Sequence, residues 1–157
     1  MFQVRDANRI LQFEGTQLGH ASSARRGALR WVEFTLYRTQ AGSYVLGRVG
    51  QTLIFHDPRC MVVARNGLAS IPPDALTPGH VPCPECRPVL DDLAEVCPES
   101  ARNWATVSDT PEGVLEALYR FDESGVRYLT TVAQRLLDQA SEADPMLAAV
   151  YQTETIA

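Results

Sequence analysis

The sequence predicts an α+β fold, with antiparallel strands first, a metal-clipped loop next and helices last. Three observations carry this expectation. Residues 30–38 alternate apolar Val32, Phe34 and Leu36 with Glu33, Thr35 and Tyr37, the period-two pattern of a half-buried strand. Thr110-Pro111 and Asp144-Pro145 are helix starts, each a capping residue followed by a proline whose missing N–H costs nothing at the first helical position. Between that strand and the helix starts, three of the four cysteines and two of the three histidines fall within His56–Cys86. Strands followed by helices argue for α+β and against a wound parallel sheet.

In chain order, Ile10–Glu14 and Thr16–Ser22 read as a hairpin about Gly15, and Ser22–Gly27 as a polar loop. Arg30–Arg38, Ser43–Val49 and Thr52–His56 read as three consecutive strands of a β-meander, turned at Gln40-Ala41-Gly42 and at Gly50-Gln51. Cys60–Ala64 suits one more short strand. Residues 65–82, with Pro72-Pro73 and Pro78-Gly79, read as a loop long enough to need fastening, which metal ligands at its two ends would provide. Val89–Val96 suits a short helix, and Trp104–Ser108 a strand. A helix is expected from Thr110 to about Phe121. Another is expected from about Ser124, with Val126, Leu129, Val132, Ala133, Leu136, Leu137 and Ala140 on one apolar stripe, and a third opens at Asp144. The 157 residues, 45% of them hydrophobic, suit a single domain: 1–64 mainly strands, 65–98 the clipped loop and short helix, 104–157 mainly helices.

The ligand pattern is His56-x3-Cys60, then 22 residues, then Cys83-Pro-Glu-Cys86. Structural zinc takes four nitrogen or sulfur ligands in a tetrahedron, and two pairs from separate segments are a usual way to supply them. Pro58 biases Asp57 away from helical backbone, so the chain leaving His56 turns and brings Cys60 back. The pattern therefore predicts Zn2+ on His56, Cys60, Cys83 and Cys86, with His80 a competing fourth ligand. Cys97 lies outside the group and suits a buried small hydrophobe. Cys83–Cys86 resembles the Cys-Pro-x-Cys half of a zinc ribbon, except that Arg87-Pro88 follow where the ribbon usually has glycine. The first residues lack the apolar run of a secretion signal, so the expected compartment is the cytoplasm, where thiols stay reduced and bind metal in preference to forming disulfides.

Four protein ligands close the coordination sphere, which favours a structural over a catalytic zinc. Pro82-Cys83-Pro84-Glu85-Cys86 does match half of a nucleobase-deaminase signature. Neither His56 nor Cys60 is followed two residues on by the glutamate that moves the proton in that chemistry. A zinc-dependent hydrolase or deaminase thus stands as the second alternative.

All fourteen cations are arginine, and they are unevenly placed. Residues 1–65 carry nine against four acids, and residues 66–157 carry five against fifteen, for a net charge of −5. Arg25, Arg26, Arg30 and Trp31 are the nucleic-acid candidates, guanidinium groups for phosphate beside a ring that can stack on a base. The overall acidity counts against that reading. The expected role is a non-catalytic, zinc-stabilised binding or regulatory module of the cytoplasm. Its partner is expected to be another protein or a second copy of the chain, with nucleic acid as the first alternative. No stretch approaches the length of apolar sequence that crosses a bilayer.

Overall fold

A computed structural model describes residues 1–28, 30–52 and 102–153. Their elements, numbered in chain order among these residues, are strands β1 (Phe2–Asp6), β2 (Arg9–Phe13), β3 (Gly15–Ser22), β4 (Arg30–Thr39), β5 (Tyr44–Thr52) and β6 (Arg102–Ser108), then helix α1 (Pro111–Leu118), the short strands β7 (Arg120–Phe121) and β8 (Arg127–Tyr128), and helices α2 (Thr131–Ala143) and α3 (Pro145–Tyr151). The fold is α+β, with antiparallel strands in the first half and three helices at the C-terminal end. The chain divides into two compact units. One comprises Met1–Arg26, Trp31–Gly50 and Arg102–Ala157, and the other Gly27–Arg30 and Gln51–Ala101. The first unit holds the hydrophobic core.

Its frame is a four-stranded sheet in the order β3-β4-β5-β6. Side-chain alternation sorts the sheet into two faces. Leu18, Phe34, Leu36, Tyr44 and Leu46 point to the helices and meet Val114, Leu118, Leu136, Leu137 and Leu147 in the main core. Leu36, Leu136, Leu137 and Leu147 are wholly buried, and each such side chain contributes roughly 1.5–3 kcal/mol. Val45 and Ala105 point the other way and pack with Val4 of the β1–β2 hairpin. There Phe2 and Phe13 lie 4.8 and 5.3 Å, centroid to centroid, from the Tyr37 ring, and aromatic pairs of this kind add about 0.5–1.5 kcal/mol each. The hairpin turn also covers part of the β6 edge. Ala7 N donates to Asn103 O at 3.0 Å, and Asp6 Oδ1 accepts from Ala105 N at 3.2 Å, which satisfies backbone groups that an open edge would leave free to pair with another chain.

The helices follow their caps. Thr110 accepts from Gly113 N at the start of α1, Thr130 from Ala133 N at the start of α2, and Asp144 from Met146 N and Leu147 N at the start of α3. The stripe Val132, Ala133, Leu136, Leu137 and Ala140 is buried as its spacing predicts. Helix α2 lies against β3, where a bulge after Gln17 turns both Leu18 and Gly19 inward. A Cβ on Gly19 would sit 3.2 Å from Gln139 Cβ and 3.3 Å from Leu136 O, so the absent side chain sets how closely helix and sheet approach.

Several elements differ from the sequence expectation. The stretch before Gly15 pairs backward with the unforeseen strand β1 (Phe2↔Phe13), and β3 pairs with β4 (Gly15↔Thr39), so no hairpin forms about Gly15. The chain changes layers there, and a Cβ on Gly15 would collide with the Arg38 carbonyl. Strand β5 continues through Gly50-Gln51 to Thr52, where a turn was expected. Helix α1 stops at Leu118, and α2 begins at Thr131, later than the expected Ser124. The intervening residues form the β7–β8 hairpin. Asp122 Oδ1 accepts from Ser124 N and Val126 N at 2.8 and 2.9 Å, and Gly125 takes φ 80°. That side-chain turn outcompetes a helical start. The expected strands at 52–56 and 60–64, the loop at 65–82 and the helix at 89–96 lie outside the described residues, apart from Thr52.

Candidate functional site

The densest polar cluster among the described residues is built on Asp144, which ends α2 and caps α3 and is 1% exposed. Its Oδ1 accepts from Met146 N at 2.9 Å and Leu147 N at 3.2 Å. Its Oδ2 accepts from Arg38 Nη1 at 3.1 Å and Tyr44 Oη at 3.0 Å. Arg38 leans over the Tyr44 ring at 5.5 Å and also reaches Met146 Sδ at 3.2 Å. The cluster opens on a cleft of about 300 Å³ whose lining includes Gly15, Thr16, Arg38, Gln40 and Asp144. Burial, then the Asp144 carboxylate beside it, pushes the Tyr44 hydroxyl up to about 12. Tyr44 therefore stays protonated near neutrality and donates to Asp144. The carboxylate's two oxygens are both taken up by these four donors. The geometry suits a pin that joins β4, β5 and the α2–α3 corner.

A second cluster lies on the sheet. His20 Nδ1 is 2.8 Å from Thr35 Oγ1, His20 Nε2 is 3.9 Å from Glu33 Oε1, and His20 N donates to Gln139 Oε1 at 3.1 Å. The imidazole is 48% exposed, and its side-chain contacts tie β3 to β4 at the surface while the backbone bond ties β3 to α2. When charged, such an exposed pair contributes about 0–1 kcal/mol.

His56, Cys60, Cys83 and Cys86, together with the competing His80 and Cys97, lie outside the described residues. The nucleic-acid candidates are described. Arg25 and Arg26 are exposed on the loop before β4, which Ser23 fastens by pairing with Val32 in both directions, N to O and N to Oγ, each at 2.9 Å. Arg30 is exposed and Trp31 half-buried at the start of β4. Alternation along the strand puts Trp31 on the face of Glu33 and Thr35, and Arg30 on that of Val32 and Phe34. The loop thus groups Arg25 with Arg26, and β4 separates Arg30 from Trp31.

The sequence marks Asp144 as a helix cap. It gives no sign that Arg38 and Tyr44, more than 90 positions earlier, converge on that carboxylate, because the convergence depends on how α2 lies across the sheet. Among the described residues no helix is long and apolar enough to cross a membrane. Comparison with protein-family models, with curated proteins and with solved structures gave no match.

Proposed function

We propose that the chain is a non-catalytic binding or regulatory module of the cytoplasm, stabilised by one structural zinc on His56, Cys60, Cys83 and Cys86. The observation that carries this reading is the paired ligand spacing, His-x3-Cys and Cys-x2-Cys, within 31 residues. Thiolate ligands also suit a reducing compartment. The Asp144 cluster supports a binding role over acid–base chemistry, since both carboxylate oxygens are already engaged by four donors of the protein itself.

A protein partner or a second copy of the chain is the proposed target. Phe121 and Val126, 66% and 59% exposed on the β7–β8 hairpin, give such a partner apolar area to cover. Nucleic acid is the second reading, favoured by the adjacent exposed Arg25 and Arg26.

Chelation tests the zinc. A strong chelator should lower the unfolding midpoint, added Zn2+ should restore it, and Mg2+ should not. An unchanged midpoint in protein stripped of metal would contradict the reading.

A further inference from the structure

We propose that Arg48 and Trp104 on the helix-side face of the sheet, with Arg102 and Arg120 beside them, bind a nucleotide unit, its phosphate on the arginines and its base on the indole. The site is distinct from the Arg25–Trp31 segment and independent of the zinc clip. Register brings its floor together. Arg48 is the Cα partner of Trp104, and Gly50 that of Arg102, and residues directly opposite in an antiparallel pair share a face. That face is the one bearing Tyr44 and Leu46, since Val45 and Ala105 belong to the other. Gly50 adds no side chain between the two arginines, and the position of its missing Cβ is 3.8 Å from Arg102 Cβ.

Helix α1 leaves β6 at Thr110, and at its far end comes Arg120, whose charge is felt at Arg48. Burial first, then the nearby Arg120, lowers the basicity of Arg48. Tyr128, 43% exposed, is the cross-strand partner of Arg120.

Three features of this corner lack a structural explanation and fit one ligand. Among the described residues Arg48 Nε is buried with no hydrogen-bond partner, and a buried donor left unmade costs free energy that a ligand oxygen would recover. The Arg48 and Arg120 guanidiniums repel, and among the described residues no carboxylate pairs with Arg48, Arg102 or Arg120. By contrast Arg9, Arg38 and Arg127 are each paired with an acid. Trp104 is 40% exposed on an edge strand although it faces the side where the core lies. A phosphate satisfies planar guanidinium donors bidentately, a carboxylate alone would leave the indole unused, and an aromatic base stacks on an exposed ring whatever its identity. The phosphate and base can come from a free nucleotide or from a single strand.

The test uses the full chain with Trp31→Phe, so that Trp104 is the remaining tryptophan reporter, and with circular dichroism to establish folding. The probes are adenosine, adenosine monophosphate and a short single-stranded oligoadenylate. Trp104 fluorescence should be quenched by the phosphate-bearing probes and not by adenosine at the same concentration. Arg120→Gln, at an exposed position, and Arg48→Gln should each weaken binding about tenfold or more, the effect of losing one charge-assisted hydrogen bond. Much tighter binding of the oligonucleotide would identify the strand as the source, and equal binding the free nucleotide. Both outcomes uphold the site. No quenching by any probe, adenosine binding as well as its monophosphate, or undiminished affinity in folded Arg120→Gln would overturn it.

Discussion

Asp144 does two jobs with one carboxylate, capping α3 through Oδ1 and anchoring Arg38 and Tyr44 through Oδ2. Replacing it by alanine removes all four bonds and leaves a guanidinium 32% exposed beside the core without its counter-charge. Asp144→Ala should therefore lose about 3–5 kcal/mol in urea unfolding, in the range for a broken buried ion pair. Tyr44→Phe removes one donor while the carboxylate keeps three, and should cost about 1 kcal/mol. Equal losses in the two variants would contradict the division of roles. Tyr44 also sets an alkaline limit. Its hydroxyl is raised from 10.0 to about 12 in the folded protein, so the folded state holds a proton that the unfolded chain releases between those values. The corresponding stability is fully present below pH 10 and is lost as pH rises toward 12. Spectrophotometric titration should show Tyr44 ionising late, with that late step missing in Tyr44→Phe.

Among the elements, those governed by local chemistry are legible in the sequence. The caps at Thr110 and Asp144 stand where their cap-and-proline signature puts them, and β4 follows from its alternation. The failures share a cause. Ile10–Phe13 has the composition of a strand, but its partner is chosen by tertiary packing, with Phe2 and Phe13 closing on Tyr37. Val126 and Leu129 fit the helical stripe of α2, yet Asp122 and Gly125 turn the chain first. Gly19 gives no warning of its role, because the bulge that turns it inward is a property of the pairing with β4. Gly19→Val should force α2 off β3 and cost about 1–3 kcal/mol, the usual penalty for overpacking. Chemical denaturation measures it, and a variant as stable as the wild type would mean that α2 is not seated there.

At the scale of the whole molecule, the described unit is three layers deep, helices on one face of a four-stranded sheet and an N-terminal hairpin on the other. The order of strands and helices made its class readable, while the hairpin layer was hidden because nothing local says which face β1 and β2 will cover. The candidate site divides the same way. The proposed zinc ligands rest on spacing and residue type, which a sequence displays directly, and they lie outside the described residues. The arginine corner at Arg48 and Trp104 depends on a β5–β6 register that joins residues more than 50 positions apart. Native mass spectrometry of the intact chain, compared with His56→Ala, His80→Ala and Cys83→Ala, reads the proposed zinc itself. One zinc per chain, lost in Cys83→Ala and His56→Ala and kept in His80→Ala, is the predicted result. A wild type purified without chelator, with reduced thiols and no bound metal, would contradict it.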